Sequence, residues 1–158
     1  MKSVAEQTHK PAAHLVGVDF ARIGGARMKN ALAERVDTEW IAILDDDDYL
    51  YPQHLQRLIE SSADADVVYS YCDSPGDCFT SYNRPWGGPD SVRGASIVSH
   101  NALVRTSVFK DAGCFSLQRG YDWWLWRTIA DAGGRFVSVP ERTWFYDLDS
   151  SRYHESRS

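Results

Sequence analysis

The chain has 158 residues, 43% of them hydrophobic and 25% charged, which is the composition of one globular domain with a core of its own. A net charge of −5 with no basic stripe argues against a nucleic-acid surface. No apolar run approaches the ~20 residues that span a bilayer, and the polar residues 1–10 lack the apolar core of a signal peptide. Three cysteines without a C-x-x-C pair argue against a disulfide framework and a zinc site, although Cys72 and Cys78 are close enough in sequence to pair, and the expected setting is the reducing cytoplasm.

In chain order, residues 14–20 (HLVGVDF) read as a short strand. Gly24-Gly25 makes a turn, and residues 26–36 carry Met28, Leu32 and Val36 at helical spacing. Residues 40–44 (WIAIL) form a continuous apolar run, the pattern of a buried parallel strand. Strand, helix and strand in this order predict a right-handed βαβ unit.

Four consecutive aspartates, Asp45 to Asp48, follow that strand directly. Carboxylates this close repel one another and raise each other's pKa unless a cation compensates. The carboxyl end of a strand in an open α/β sheet is also where ligands bind. Extended backbone would aim Asp45 and Asp47 one way and Asp46 and Asp48 the other. Oxygen-only ligands suit Mg²⁺ or Mn²⁺, which take one or two carboxylates and fill the remaining positions with phosphate oxygens and water. A solvated acidic turn is the alternative reading of the same residues.

Pro52 suits the first turn of a helix over 52–62, with Leu55, Leu58 and Ile59 as its apolar stripe. Residues 66–71 read as a strand, and 72–94 as a long loop rich in Gly, Pro, Asp and Ser. A short strand is expected over 95–98. A helix is expected over 106–112, capped by Thr106 or Ser107 and stopped by Gly113. Residues 121–132 form a further helix ended by Gly133-Gly134, and 135–139 a strand stopped by Pro140. Asp122, at the start of its helix among Tyr121, Trp123 and Trp124, is a candidate general base or an acid favouring the positive end of the helix dipole.

These motifs together resemble the family 2 glycosyltransferases of the GT-A fold. The stretch GGARMKNAL matches the family's G-x-x-x-A-R-N-x-G pattern, with Lys29-Asn30 where the family has Arg-Asn. WIAILDDDDYLYP matches its strand, D-x-D motif and following Pro. Arg105, Phe109, Gly113 and Phe115 follow its R-x-x-x-F-x-x-x-G-x-F element. YDWWLWR stands on its E-D-W-D-L-W-x-R motif, with Tyr121 in place of the Glu and Trp124 in place of the second Asp.

The resemblance implies an open mixed α/β sheet flanked by helices, a GT-A-like fold in a short form without the usual N-terminal nucleotide-binding strands. It implies one domain over 1–158, with 1–12 and 152–158 as flexible ends. It implies a metal-dependent, inverting transfer of a hexose from a UDP- or GDP-sugar to an acceptor hydroxyl. Asp122 would be the base, Asp47 and Asp45 the metal ligands, and Asp45, Asp46, Lys29 and Arg27 the donor contacts. Mn²⁺ or Mg²⁺ is the implied cofactor. Trp86, Tyr121 and Trp123 are candidate acceptor or lid residues, and Asp149 or His154 a further metal ligand. A sheet left with a bare edge would favour a homodimer. A GT-A-like binding module without catalysis, and a metal-dependent phosphoryl or nucleotidyl transferase, are the rival classes.

Overall fold

The structure is a computed structural model and describes residues 2–77 and 81–147. Five strands form one mixed sheet: β1 (Trp40–Ala42), β2 (Tyr49–Leu50), β3 (Val67–Asp73), β4 (Leu103–Arg105) and β5 (Phe136–Phe145), in the order β1-β4-β3-β5-β2. β3 and β5 run parallel, and every other neighbouring pair is antiparallel. The helices are α1 (Lys2–Ala5), α2 (Gly25–Ala33), α3 (His54–Glu60), α4 (Asp90–Gly94), α5 (Thr106–Asp111) and α6 (Tyr121–Asp131).

β3 is the centre of the domain. Alternate residues point to opposite faces of a strand. Val67 and Tyr69 accordingly pack under α2, α5 and α6 with Ala33, Phe109, Leu125, Trp126 and Ile129. Val68 faces the other way, against Leu58 of α3 with Leu103 and Val139. A third apolar cluster, Leu50, Cys72, Tyr82 and Trp144, closes the end of the sheet nearest the acidic run. α6 ends where Gly133 takes a φ of 85°; its N–H and that of Gly134 return to the carbonyls of Ala130 and Ile129, the αL stop that glycine permits.

Several expectations are corrected. Residues 14–20 pair with no strand, so no βαβ unit forms. This segment lies along α2 instead: Gly17 sits so close to Met28 and Leu32 that a Cβ there would fall within 2.6 Å of the Met28 sulfur. Val16, Val18 and Phe20 remain exposed. The run 40–44 is a strand only over Trp40–Ala42. It is an edge strand, antiparallel to β4, rather than a buried parallel one.

Residues 95–98 are not a strand, although Ile97 and Val98 are buried. The expected loop 72–94 contains the end of β3 and all of α4. Pro140 does not stop β5. The register jumps from Val139 opposite Ser70 to Arg142 opposite Tyr71, and this bulge accommodates a residue without an N–H. Neither Thr106 nor Ser107 caps α5: the cap position is Arg105, with no side-chain bond. The N-terminal segment read as a flexible end is tied to the domain by Gln7, fully buried, whose amide donates to Tyr51 O at 2.8 Å and accepts from Leu55 N at 2.9 Å.

Candidate functional site

β1 leads through Leu44 into a tight turn over Asp45–Asp48, closed by Asp48 N–H donating to Asp45 O at 3.3 Å. The backbone here is a turn and not the extended segment the alternation argument assumed. The turn nevertheless brings Asp45 and Asp47 to one cleft. Asp46 is exposed, and Asp48 is buried beneath the turn.

The cleft holds about 310 Å³ and is lined by Asp45, Asp47, Tyr82, His100, Gly120, Tyr121, Asp122 and Tyr146. Three groups of side chains thus converge on the acidic turn. One is the start of α6, where Gly120 adopts a left-handed φ of 71° and sets Tyr121 and Asp122 on the cleft wall. Another is His100, just before β4. The third is the aromatic trio Tyr82, Trp144 and Tyr146, whose ring centroids lie 5.7–5.8 Å apart. Burial pushes the Tyr82 hydroxyl well above its ordinary pKa, and the negative Asp122 adds to this, so Tyr82 lines the cleft as a neutral phenol.

Each carboxylate of the turn has a distinct environment. Asp45 Oδ1 is ion-paired with Lys29 Nζ, and its Oδ2 lies 3.3 Å from His100 Nε2. Lys29 also donates to the Tyr121 hydroxyl at 2.7 Å. Burial opposes the Lys29 charge, but Asp45 and Tyr121 outweigh it and hold its pKa above the ordinary lysine value. Asp48 Oδ2 accepts from His100 Nε2 at 2.9 Å and from Asn101 Nδ2 at 3.1 Å, and Asp48 Oδ1 faces Asp147 N at 3.4 Å. Burial opposes charge on His100 as well; Asp45 and Asp48 prevail and raise its pKa.

Asp47 differs from both. Burial first, then Asp48, Asp45 and Asp46, raise its pKa, and no cation of the described residues pairs with it. A half-exposed carboxylate at the mouth of a cleft, whose repulsion is offset only by a backbone hydrogen bond, fits a divalent cation that takes only one or two protein ligands. Among the described residues no group of three His, Cys, Asp or Glu side chains is assembled to hold a metal unaided. A cation here would therefore share its sphere with substrate oxygens and water.

The remaining predicted residues are dispersed. Arg27 is exposed in a neighbouring cleft of about 280 Å³ with Gly24, Gly25, Leu117 and Arg119; Tyr121 is the wall common to both clefts. Trp86 stacks on Phe136 at 4.2 Å with an 11° interplanar angle, and its backbone N–H donates to Ser138 Oγ at 3.3 Å, so ring and backbone together anchor the loop to the sheet. Trp123 turns to the carbonyl of Val92. Asp149 and His154 lie outside the described residues. His100, Asn101, Tyr82 and Tyr146 were not anticipated. The only advance signal for the first two was a His-Asn pair directly before the apolar residues 102–104.

The family model for glycosyl transferase family 2 matches residues 3–123, more than half of the chain. No curated protein matches the chain. Among solved structures, S. aureus TarS 1-349 in complex with UDP-GlcNAc is 15% identical with a TM-score of 0.62, over 78% of this chain and 39% of that one. The complex of TarS 1-349 with UDP gives 14% identity and 0.58, over 82% and 42%. S. aureus TarS gives 15% and 0.60, over 82% and 25%. The chain thus spans less than half of each. At these identities the likeness establishes the fold: a mixed sheet flanked by helices, of the GT-A type. No helix among the described residues is long and apolar enough to cross a membrane.

Proposed function

The chain belongs to glycosyl transferase family 2, and we propose that its cleft binds a nucleotide-sugar donor and transfers the sugar to an acceptor hydroxyl with inversion. The observation that carries this reading is the convergence of Asp45, Asp47 and Asp122 on one cleft. The structural relative TarS 1-349, solved in complex with UDP-GlcNAc and with UDP, supports a uridine diphosphate donor.

Asp47, with Asp45 beside it, would hold a Mn²⁺ or Mg²⁺ ion together with the donor diphosphate. Such an ion offsets the negative charge that develops on the leaving diphosphate. The chain's own residues do the rest. Asp45 is fixed by Lys29 and His100, so its carboxylate is oriented before substrate arrives. Lys29 also braces Tyr121, and thereby the first turn of α6 that carries Asp122. Asp122 accepts the proton from the acceptor hydroxyl as that oxygen attacks the anomeric carbon. The bond from that carbon to the diphosphate oxygen breaks, and attack opposite the leaving group inverts the centre. Tyr82 and Tyr146 give the cleft aromatic faces against which a sugar ring packs.

Calorimetric titration with Mn²⁺ and a panel of nucleoside diphosphates tests the donor site. Metal-dependent binding of one of them is expected, and no metal-dependent binding of any would sink the reading. Donor hydrolysis then tests the roles. Asp122→Asn should lower turnover by about 10²- to 10⁴-fold, the usual contribution of a general base. Asp47→Ala should abolish the metal dependence, and unchanged turnover in either variant refutes its assigned role.

A further inference from the structure

We propose that His100 is the positioning residue of the acidic turn: through one ring nitrogen it ties Asp45 to Asp48 and so presents Asp47, between them, to the cleft. The inference rests on the metal-and-donor reading of that cleft and extends it: there His100 helps to fix Asp45, and here it joins Asp45 to Asp48.

The geometry is specific. His100 Nε2 lies 2.9 Å from Asp48 Oδ2 and 3.3 Å from Asp45 Oδ2. Nε2–H donates to Asp48 and lies at ion-pair distance from Asp45, so one ring nitrogen faces the first and last carboxylates of the turn. The turn has a single backbone bond of its own, from Asp48 N to Asp45 O at 3.3 Å. Other groups hold one end only: Lys29 grips Asp45, and Asn101 grips Asp48. His100 alone among these side chains bridges the two. Without the bridge, repulsion among four adjacent carboxylates favours opening the turn, and Asp47 loses its fixed position.

His100 is itself anchored. It is 8% exposed, and the neighbouring Asn101 carbonyl faces His54 Nε2 at 3.2 Å. A carbonyl only accepts, so His54 donates through Nε2, and in its neutral form its Nδ1 accepts from Thr143 Oγ1 at 2.7 Å. Thr143 Oγ1 then accepts from Ser70 Oγ at 2.6 Å. The acidic turn is thereby connected through His100-Asn101 and His54 to the paired strands β3 and β5. A supporting shell of this kind sets the orientation of groups that meet a cation.

The choice of substitution separates positioning from bulk. Gln carries its amide nitrogen near the place of Nε2 and can keep the bridge, whereas Asn reaches only the place of Nδ1. Tb³⁺, which prefers oxygen ligands and is sensitised by nearby tyrosines such as Tyr82 and Tyr146, serves as the probe. The wild-type chain should bind it in the cleft, and Asp47→Ala should lose that binding. His100→Asn should weaken it by about 10- to 100-fold, as for other residues that orient ligands, while His100→Gln should stay close to wild type. In an Asp48→Asn background the His100→Asn effect should largely vanish.

Wild-type binding that Asp47→Ala abolishes but His100→Asn leaves intact overturns the role of His100 alone. No cleft binding by the wild type overturns the site reading and this proposal together. Should His100→Asn fail to fold, ¹⁵N spectra of the wild-type imidazole decide. The bridge requires a hydrogen on Nε2, and a ring protonated only on Nδ1 overturns it.

Discussion

Lys29 on α2 is ion-paired with Asp45 in the acidic turn, and the same ammonium donates to the Tyr121 hydroxyl at the start of α6. One side chain therefore couples the donor-side carboxylate to the helix that carries Asp122. Removing one partner of a fully buried pair costs ~3–5 kcal/mol, because the other charge is left unpaired. Lys29 and Asp45 keep some access to water, with side chains 13% and 27% exposed. Lys29→Met should therefore cost about 2 kcal/mol by urea denaturation, a value scaled down from the buried case. Asp45→Asn in the same background should add little, because the pair is already broken. Additive losses would show that the two residues are not coupled.

Asp47 carries the opposite kind of energetics. Its raised pKa comes from burial and from three neighbouring carboxylates, so its ionised form is disfavoured in the fold. Being raised above its value in the unfolded chain, Asp47 binds its proton more readily when folded. Its contribution to stability is therefore greatest below the ordinary aspartate value and is lost as pH rises from there through the raised one. Asp47→Asn should raise Tm at pH 7 in metal-free buffer and remove the stabilisation given by added Mn²⁺. The measurement is a pair of thermal melts with and without the metal. A lower Tm in metal-free buffer would mean that repulsion does not dominate at this position.

The acidic run, the amphipathic helices and Asp122 were legible in the sequence because each depends on neighbours within a few residues. The strand partners were not. An apolar run such as residues 40–44 reports burial and not direction: Ile41 is buried in the core while Arg105 of β4 stacks over Trp40 at 4.4 Å. Residues 14–20 have strand composition, but Gly17 sits against Met28 and Leu32 of α2 while Val16, Val18 and Phe20 stay exposed and pair with no strand. Pro140 reads as a strand end until the bulge opposite Ser70 and Tyr71 is known. His100 lies 52 positions from Asp48, and only the antiparallel entry into β4 brings the two together.

Trp86 offers a direct test of loop against lid. Its ring is stacked on Phe136, on the α6 side of the sheet, and it does not line the cleft. Replacing a buried aromatic ring by alanine costs ~3–5 kcal/mol, and a half-buried ring about 2 kcal/mol. Trp86→Ala should therefore lower stability by that amount and leave nucleoside diphosphate binding within about twofold of wild type, the tolerance for a site that shares no partner with the cleft. Weakened binding at unchanged stability would instead make Trp86 a substrate contact.

His54 makes the fold sensitive to acid. Burial lowers its pKa from 6.5 to about 4, against the raising effect of its bonds to Asn101 and Thr143. Both ring nitrogens are committed in the neutral form, Nε2 as donor to a carbonyl and Nδ1 as acceptor from a hydroxyl. Protonation would set Nδ1–H against Thr143 Oγ1, whose own hydrogen would then have to turn away. In the unfolded chain the same imidazole gains its proton near 6.5, so between that pH and about 4 the unfolded state binds more protons than the folded one. The contribution of His54 should be flat above pH 7 and fall as pH drops through this window. The loss attributable to His54 is roughly 3 kcal/mol, at about 1.4 kcal/mol per pH unit. The difference in denaturation midpoint between wild type and His54→Gln, measured from pH 7.5 to 4, should follow that slope. His54→Gln, which cannot take up a proton, should start less stable but lose its dependence across the window. A variant that keeps the full wild-type slope would place the acid sensitivity elsewhere in the domain.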